Sequence, residues 1–299
     1  MTAVVRAVWT RVGPVAGQAL DLLHARVTEP YAPHLHEEFA VGACTDGREL
    51  IRYRGTLHHA GPGSVVILEP GEPHTGEPAD PSGFVYRVMY PAADLLCEGL
   101  ARAPRFREPV VTDPGLAGEL RRVHALLSRE AEPLKAEPLK AEPLEAESRL
   151  SWLFGELVRR HASPPPDLEV RGAGRVARLV MAQLADQLSC PPALTELAAA
   201  AGLSRYQLVR SFRAEVGLPP YAWLAQHRVA RARVLLERGC RPAEAAALTG
   251  FADQAHLTRW FRRVVGVTPG AYRNSVQDSI PRHRQCSPLC PASLRRACG

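Results

Sequence analysis

Two sets of residues in this chain have the types and spacing for chemistry. In the first, His34-Leu35-His36-Glu37-Glu38 puts two histidines and a carboxylate at alternate positions, and His74 follows the turn Pro70-Gly71-Glu72-Pro73. Alternate side chains of an extended strand share a face, so His34, His36 and Glu38 are expected to point together, with His74 joining them. Such groups are transition-metal ligands, and equally the polar lining of a small-molecule pocket or partners in hydrogen bonds between strands.

The second set is repeated. Gly202-Leu203-Ser204, Leu208-Val209-Arg210-Ser211-Phe212 and Gly217-Leu218-Pro219-Pro220 recur as Gly250-Phe251-Ala252, Leu257-Thr258-Arg259-Trp260-Phe261 and Gly266-Val267-Thr268-Pro269, offset by 48 residues at the first glycine and 49 afterwards. Each copy places a small-residue helix (194–201; 242–249) before a glycine turn and a helix with Arg two positions ahead of an aromatic, which is the helix-turn-helix plan. Helical spacing buries Leu203, Leu208 and Phe212 in the first copy and leaves Arg205, Tyr206, Val209 and Arg210 outward. In the second, Phe251, Leu257 and Phe261 are buried, and Gln254, Ala255, Thr258 and Arg259 face out beside His256. Arg pairs with guanine, Gln with adenine, and Ala or Thr methyls touch thymine, so these faces suit reading of the major groove. Ser204 and Asp253 are expected N-caps, where free backbone N–H groups can hold phosphate.

Other elements must position these sets. Short stretches rich in Val, Leu and aromatics at 19–27, 38–44, 49–57, 64–68 and 84–90, bounded by Gly, Pro and Asp, predict the strands of a small β-barrel or sandwich. Tyr31, Arg52, Tyr53 and Tyr86 are further candidates for its pocket wall. From Asp113 the period changes: Leu116, Leu120, Val123 and Leu127 form one helix face, and Leu150, Leu153, Phe154 and Leu157 another, predicting an antiparallel pair. Between them Glu132-Pro133-Leu134-Lys135-Ala136 recurs at 137–141 and, with Glu for Lys, at 142–146; a proline every five residues predicts an extended connector. Ser163-Pro164-Pro165-Pro166-Asp167 marks a linker, 221–238 a long helix between the two repeat copies, and 275–299 a disordered tail whose Cys286, Cys290 and Cys298 lack the paired spacing of a zinc site.

Composition narrows the class. Over 299 residues, 37 basic and 31 acidic side chains with 46% hydrophobic residues describe a globular chain with room for about two domains. No run approaches the roughly 18 apolar residues of a membrane span, and Arg6 and Arg11 interrupt the place of a signal peptide, so a cytoplasmic protein without a membrane partner is expected. Cys44, Cys97, Cys190 and Cys240 are isolated thiols of a reducing compartment. Charge is divided unevenly: residues 1–174 hold 19 basic and 24 acidic side chains, whereas 175–275 hold 14 and 6. The second half is therefore the one suited to meeting phosphates.

The run from Gly250 to Arg263, with Gly266-Val267-Thr268-Pro269 and Tyr272-Arg273 after it, resembles the tandem helix-turn-helix domain of the AraC/XylS family of transcriptional regulators. By that resemblance Tyr206, Val209 and Arg210, then Gln254, Ala255, Thr258 and Arg259, hold the base-facing positions. Pro242-Ala243-Glu244-Ala245-Ala246 departs from the family's usual polar cap and branched apolar residue, which predicts looser packing of the second unit. The order of His34, His36 and His74 resembles the two cupin motifs, and the family's sensor is a cupin-like barrel. The expected fold is α+β and multidomain: a cupin-like ligand-binding β-barrel (1–100), a helical linker and dimerisation region (113–162), and an all-α tandem helix-turn-helix domain (174–274). The resemblance implies a non-enzymatic transcription factor, an activator that acts as a homodimer on double-stranded promoter DNA, contacts RNA polymerase and is controlled by a small-molecule effector held by His34, His36, Glu38 and His74. No cofactor or metal is expected. The alternative is a metal-binding cupin sensor or cupin enzyme fused to a DNA-binding module; against it, Glu38 falls closer to His36 than the metal-binding cupin pattern has it. A DNA-repair protein with an alkyl-accepting cysteine is excluded, because only Cys44 and Cys97 lie in the first half.

Overall fold

Alternation of apolar residues along neighbouring strands builds a sheet that is buried on both faces. The computed structural model describes residues 4–15, 18–96, 98, 100, 103–128, 143–164 and 173–278. Its strands are β1 (Val4–Val15), β2 (Gln18–Val27), β3 (Tyr31–His34), β4 (Ala40–Asp46), β5 (Glu49–Tyr53), β6 (Thr56–Ala60), β7 (Ser64–Leu68), β8 (His74–Pro78), β9 (Phe84–Tyr90) and β10 (Val110–Thr112). They pair antiparallel in two sheets, ordered β1-β2-β9-β4-β7-β10 and β3-β8-β5-β6. On the larger sheet Leu22, Val41, Ile67 and Met89 face one way, and Leu23, Val66, Leu68 and Val88 join the cluster shared with Ile51 and Tyr53 of the smaller sheet. The larger sheet thus separates two cores.

The expected strand 49–57 is instead a hairpin. Arg54 and Gly55 take positive φ (49° and 77°) between the paired Tyr53 and Thr56, the backbone a two-residue turn requires. Strands β3 and β8 add to the expected set; each carries a proline and few apolar residues, so neither shows the apolar pattern of a strand.

The outer core is closed by α2 (Pro114–Leu127) and α3 (Pro143–His161), which pack on each other and on the larger sheet. Asp113 caps α2 by accepting from the Leu116 N–H at 3.0 Å. Helix α3 starts within the last copy of the proline repeat, so residues 143–146 are helical rather than extended; Pro143 at the first position needs no backbone donor. The earlier copies, residues 165–167 of the expected linker and residues 279–299 of the expected tail lie outside the described residues.

A short helix α1 (Ala93–Leu96) follows β9. The remaining helices are α4 (Ala173–Asp186), α5 (Leu194–Ala201), α6 (Arg205–Val216), α7 (Pro220–Glu237), α8 (Pro242–Leu248), α9 (Gln254–Val265) and α10 (Pro269–Asp278), the last running beyond the expected domain end at Asn274. Two compact units result, residues 1–227 and 228–299, dividing within α7 rather than at the proline linker. The first repeat copy joins the first unit because α3 packs on α6 and contributes Leu144 to the core of Val180, Leu208 and Phe212. Among the described residues no helix is long and apolar enough to cross a membrane.

Leu120 of α2 is fully buried between the larger sheet and α3. Leu120→Ala is expected to destabilise the first unit by about 2–5 kcal/mol, seen as a lower urea midpoint at unchanged slope; an unchanged midpoint would mean that α2 does not close this core.

Candidate functional site

The space between the two sheets holds a cavity of about 480 Å³ with mostly apolar walls, among them Leu23, Ile51, Val66 and Val88. His34, His36 and His74 come together at one part of it, with ring centroids 4.3–4.9 Å apart. One nitrogen of each lies within 4.8 Å of the others, so this set could hold a transition metal. His34 Nδ1 and His74 Nδ1 lie 3.1 and 3.2 Å from the carbonyls of Ala32 and Glu72. A carbonyl only accepts, so each Nδ1 donates its proton to the backbone and Nε2 is the nitrogen left toward the other rings. Burial, with the neighbouring imidazoles, pushes His36 and His74 down to about 4, leaving both rings neutral at pH 7.

Glu38 does not join them. The strand ends at His34 and residues 35–38 are irregular, so alternation no longer applies and Glu38 is exposed, away from the cavity wall. Arg52 is exposed and Tyr53 is buried elsewhere, its hydroxyl accepting from the Glu69 N–H, whereas Tyr31 and Tyr86 do line the cavity. The carboxylate that faces the cavity is Glu49, 4% exposed, with Tyr31 Oη donating to its Oε1 at 2.5 Å. Its sequence signal is an acid in phase with Ile51 and Tyr53 on the buried face of β5.

The helix-turn-helix copies are built as their turns require. Gly202 (φ 66°) and Gly250 (φ 81°) take the left-handed conformation that lets the chain leave one helix and enter the next. Ser204 Oγ accepts from the Gln207 N–H while Gln207 Oε1 accepts from the Ser204 N–H, and Asp253 Oδ1 accepts from the His256 N–H at 2.6 Å. In α9 Gln254 and Arg259 are exposed, and Ala255 and Thr258 are half-exposed. Thr258 Oγ1 donates to the Gln254 carbonyl at 2.8 Å, which fixes its rotamer. His256 is not on this face: it is 3% exposed, packs against Phe251, and accepts at Nε2 from Trp260 Nε1 at 3.1 Å.

The first copy differs from its expected exposure. Leu208 and Phe212 are fully buried and Leu203 half-buried, but Arg205, Tyr206 and Val209 are buried too, at 5%, 4% and 1% exposure, while Arg210 is half-exposed. A second layer covers them. Glu98 accepts from Arg205 at both Nε (2.5 Å) and the backbone N–H (3.2 Å), and Glu156 of α3 accepts from Tyr206 Oη at 2.7 Å. Helix α3 passes close because residue 155 is glycine; a Cβ there would collide with the Tyr206 ring. Burial alone would raise the Glu156 carboxyl, but hydrogen bonds from Arg159, Tyr206 and Arg160 outweigh it and hold the group at about 2.

The model of the AraC-like ligand binding domain family matches residues 18–154, and that of a helix-turn-helix domain family matches residues 197–275. The chain is 27% identical over 244 residues to the uncharacterized HTH-type transcriptional regulator YbfI of Bacillus subtilis, covering 77% of this chain and 82% of that one. It is 30% identical over 131 residues to the HTH-type transcriptional activator RhaR of Salmonella heidelberg, covering 42% of this chain and less than half (46%) of that one. Among solved structures, the DNA-binding domain of the global transcriptional factor AdpA in complex with a target DNA is 33% identical and matches 37% of this chain and 97% of that one, with a TM-score of 0.33.

His256 yields a pH test of the second unit. Burial, with Arg259 and Arg228 nearby, pushes the ring down to about 4. The unfolded chain binds this proton more readily, so the ring's contribution to stability is intact above the ordinary histidine value near 6.5 and is lost as pH falls toward 4. Stability of His256→Phe is therefore expected to fall less steeply than that of the wild type in this window; equal slopes would show that the ring is not held neutral.

Proposed function

Because the chain belongs to the AraC/XylS family of transcriptional regulators, joining an AraC-like ligand-binding domain to a helix-turn-helix domain, we propose that it is a one-component switch with one state that withholds its own first reading helix. The observation that carries this reading is the burial of Arg205 and Tyr206, which hydrogen-bond to Glu98 and to Glu156 of α3, with Val209 buried beside them. Those side chains cannot meet base edges while covered. An effector in the cavity acts by favouring an arrangement in which α6 is released, and it shifts the balance only by its difference in affinity for the two states.

In the released state Tyr206, Val209 and Arg210 join Gln254, Ala255, Thr258 and Arg259 on the major groove, Arg205 adds a cation, and the capped starts at Ser204 and Asp253 present N–H groups to phosphate. His256 supports α9 from within. The protein acts as a cytoplasmic, non-catalytic homodimer on double-stranded promoter DNA and activates by contacting RNA polymerase; the similarity to the activator RhaR supports that direction.

Gly155→Ala is a direct test, because the added methyl favours the helix of α3 yet displaces Tyr206. On the chain's own genomic binding site, isolated by affinity selection, it is expected to bind effector-free about tenfold more tightly than the wild type, within the usual 5–150-fold range of coupling between sites. Unchanged or weaker binding by the folded variant would refute the withheld-helix reading. Arg259→Ala is expected to cost about 1–3 kcal/mol on that site and to relax base preference at one position; equal weakening on every sequence would make Arg259 a phosphate contact instead.

A further inference from the structure

The proposed function leaves the effector unnamed, and the charges around the cavity narrow it. Glu49 lies in the cavity wall at the start of β5 and is almost wholly withdrawn from water. Burying a carboxylate without a cation is costly, and such groups in folded proteins are usually paired. Glu49 has a neutral partner: Tyr31 Oη donates one hydrogen bond to Oε1. Among the described residues no arginine or lysine lines the cavity. The titratable groups that face Glu49 are Tyr31 from β3, Cys44 from β4, and Tyr86 and Tyr90 from β9, with His74 on the same face of β8. Burial raises the two β9 phenols above their ordinary range and pushes the Cys44 thiol up to about 11, while His74 stays neutral, so none of these groups is cationic at pH 7.

The remaining wall suits a cation as well. Tyr31, Tyr86 and Tyr90 line the cavity, and Trp9 stacks on Tyr90 with ring centroids 5.3 Å apart. Aromatic faces attract ammonium groups, and more strongly when water is excluded. On β8, directly opposite Tyr31, stands Gly76; any Cβ there would strike Tyr31 Oη and Glu49 Oε1, so this position leaves the pair the space it occupies. From the buried carboxylate, the aromatic rings and the otherwise apolar walls, we propose that the effector is a small organic amine, bound through its protonated nitrogen at Glu49 with its apolar body in the rest of the cavity.

This inference rests on the reading of the cavity as an effector site and adds the sign of the effector's charge. Anionic effectors are disfavoured, since they would meet the Glu49 carboxylate with no arginine or lysine among the described residues of the wall. Glu49, pushed up to about 7 by burial against the lowering pull of the Tyr31 hydrogen bond, is partly protonated at neutral pH; an ammonium beside it restores the ionised form. An alkyl ammonium keeps its proton throughout this range, as lysine does. Amine affinity therefore rises as pH is raised through about 7.

The test uses the full chain and two matched sets of probes: phenethylamine, phenethyl alcohol and phenylacetate, then octylamine, octanol and octanoate. Binding is followed by isothermal titration and by thermal shift. In at least one set the amine is expected to bind about tenfold or more tightly than its alcohol and its acid, with the advantage growing through neutral pH and disappearing in Glu49→Gln, which keeps the wild-type affinity for the alcohol. An alcohol or acid that binds as well as its amine in both sets overturns the amine assignment and leaves the cavity as an effector site. Binding by none of the six overturns both. The wild-type ranking decides the matter even if the variant fails to fold.

Discussion

A sheet buried on both faces ties the cavity to the helices outside it. In β2, Leu22 faces α2 and α3 while its neighbour Leu23 faces the inner core; Met89 and Val88 of β9, and Ile67 and Val66 of β7, are split in the same way. Close-packed interiors transmit displacement instead of absorbing it. A molecule that spreads or tightens the inner face therefore acts on strands whose next residues seat Leu120, Leu150 and Leu157. Sensor and helix pair are one mechanical body, and α3 is its outer edge.

That edge carries Gly155 and Glu156 to Tyr206 of α6. Glu156 is held by Arg159 and Arg160 of its own helix, so the oxygen offered to Tyr206 is fixed in place before α6 docks. Pre-positioning lowers the entropy lost on docking, and the polar links add to the apolar contacts that Leu144 and Trp152 of α3 make with the cluster of Leu208 and Phe212. Hydrogen bonds to charged groups contribute about 1.5–3 kcal/mol each, a scale comparable to the coupling energies by which one site governs another.

Local chemistry made much of this legible from the sequence. The glycine turns at Gly202 and Gly250, the caps at Ser204 and Asp253, and the apolar faces of α2 and α3 all depend on residues within a turn or two of one another. What escaped depends on distant partners. Helical spacing assigns Tyr206 and Val209 to an outward face from the residues of α6 alone, and it cannot foresee that Glu156, fifty residues upstream, accepts a hydrogen bond from Tyr206. The Glu38 expectation failed because alternation was extended past the end of β3, and Glu49 was passed over because an acid at a strand end ordinarily faces water. His256 looked like a groove contact only because it sits among residues that are exposed.

Covering of the α6 reading face in the effector-free chain is the central claim, and Tyr206 reports on it directly. Fluorotyrosine incorporated into the full chain, with the Tyr206 signal assigned through Tyr206→Phe, can be followed by fluorine NMR in water and in heavy water. Tyr206 is 4% exposed in this structure. A resonance insensitive to the solvent exchange in the free chain, which shifts when the specific DNA site is added, is the predicted result. A solvent-sensitive resonance in the free chain, or one that DNA leaves in place, would contradict the account.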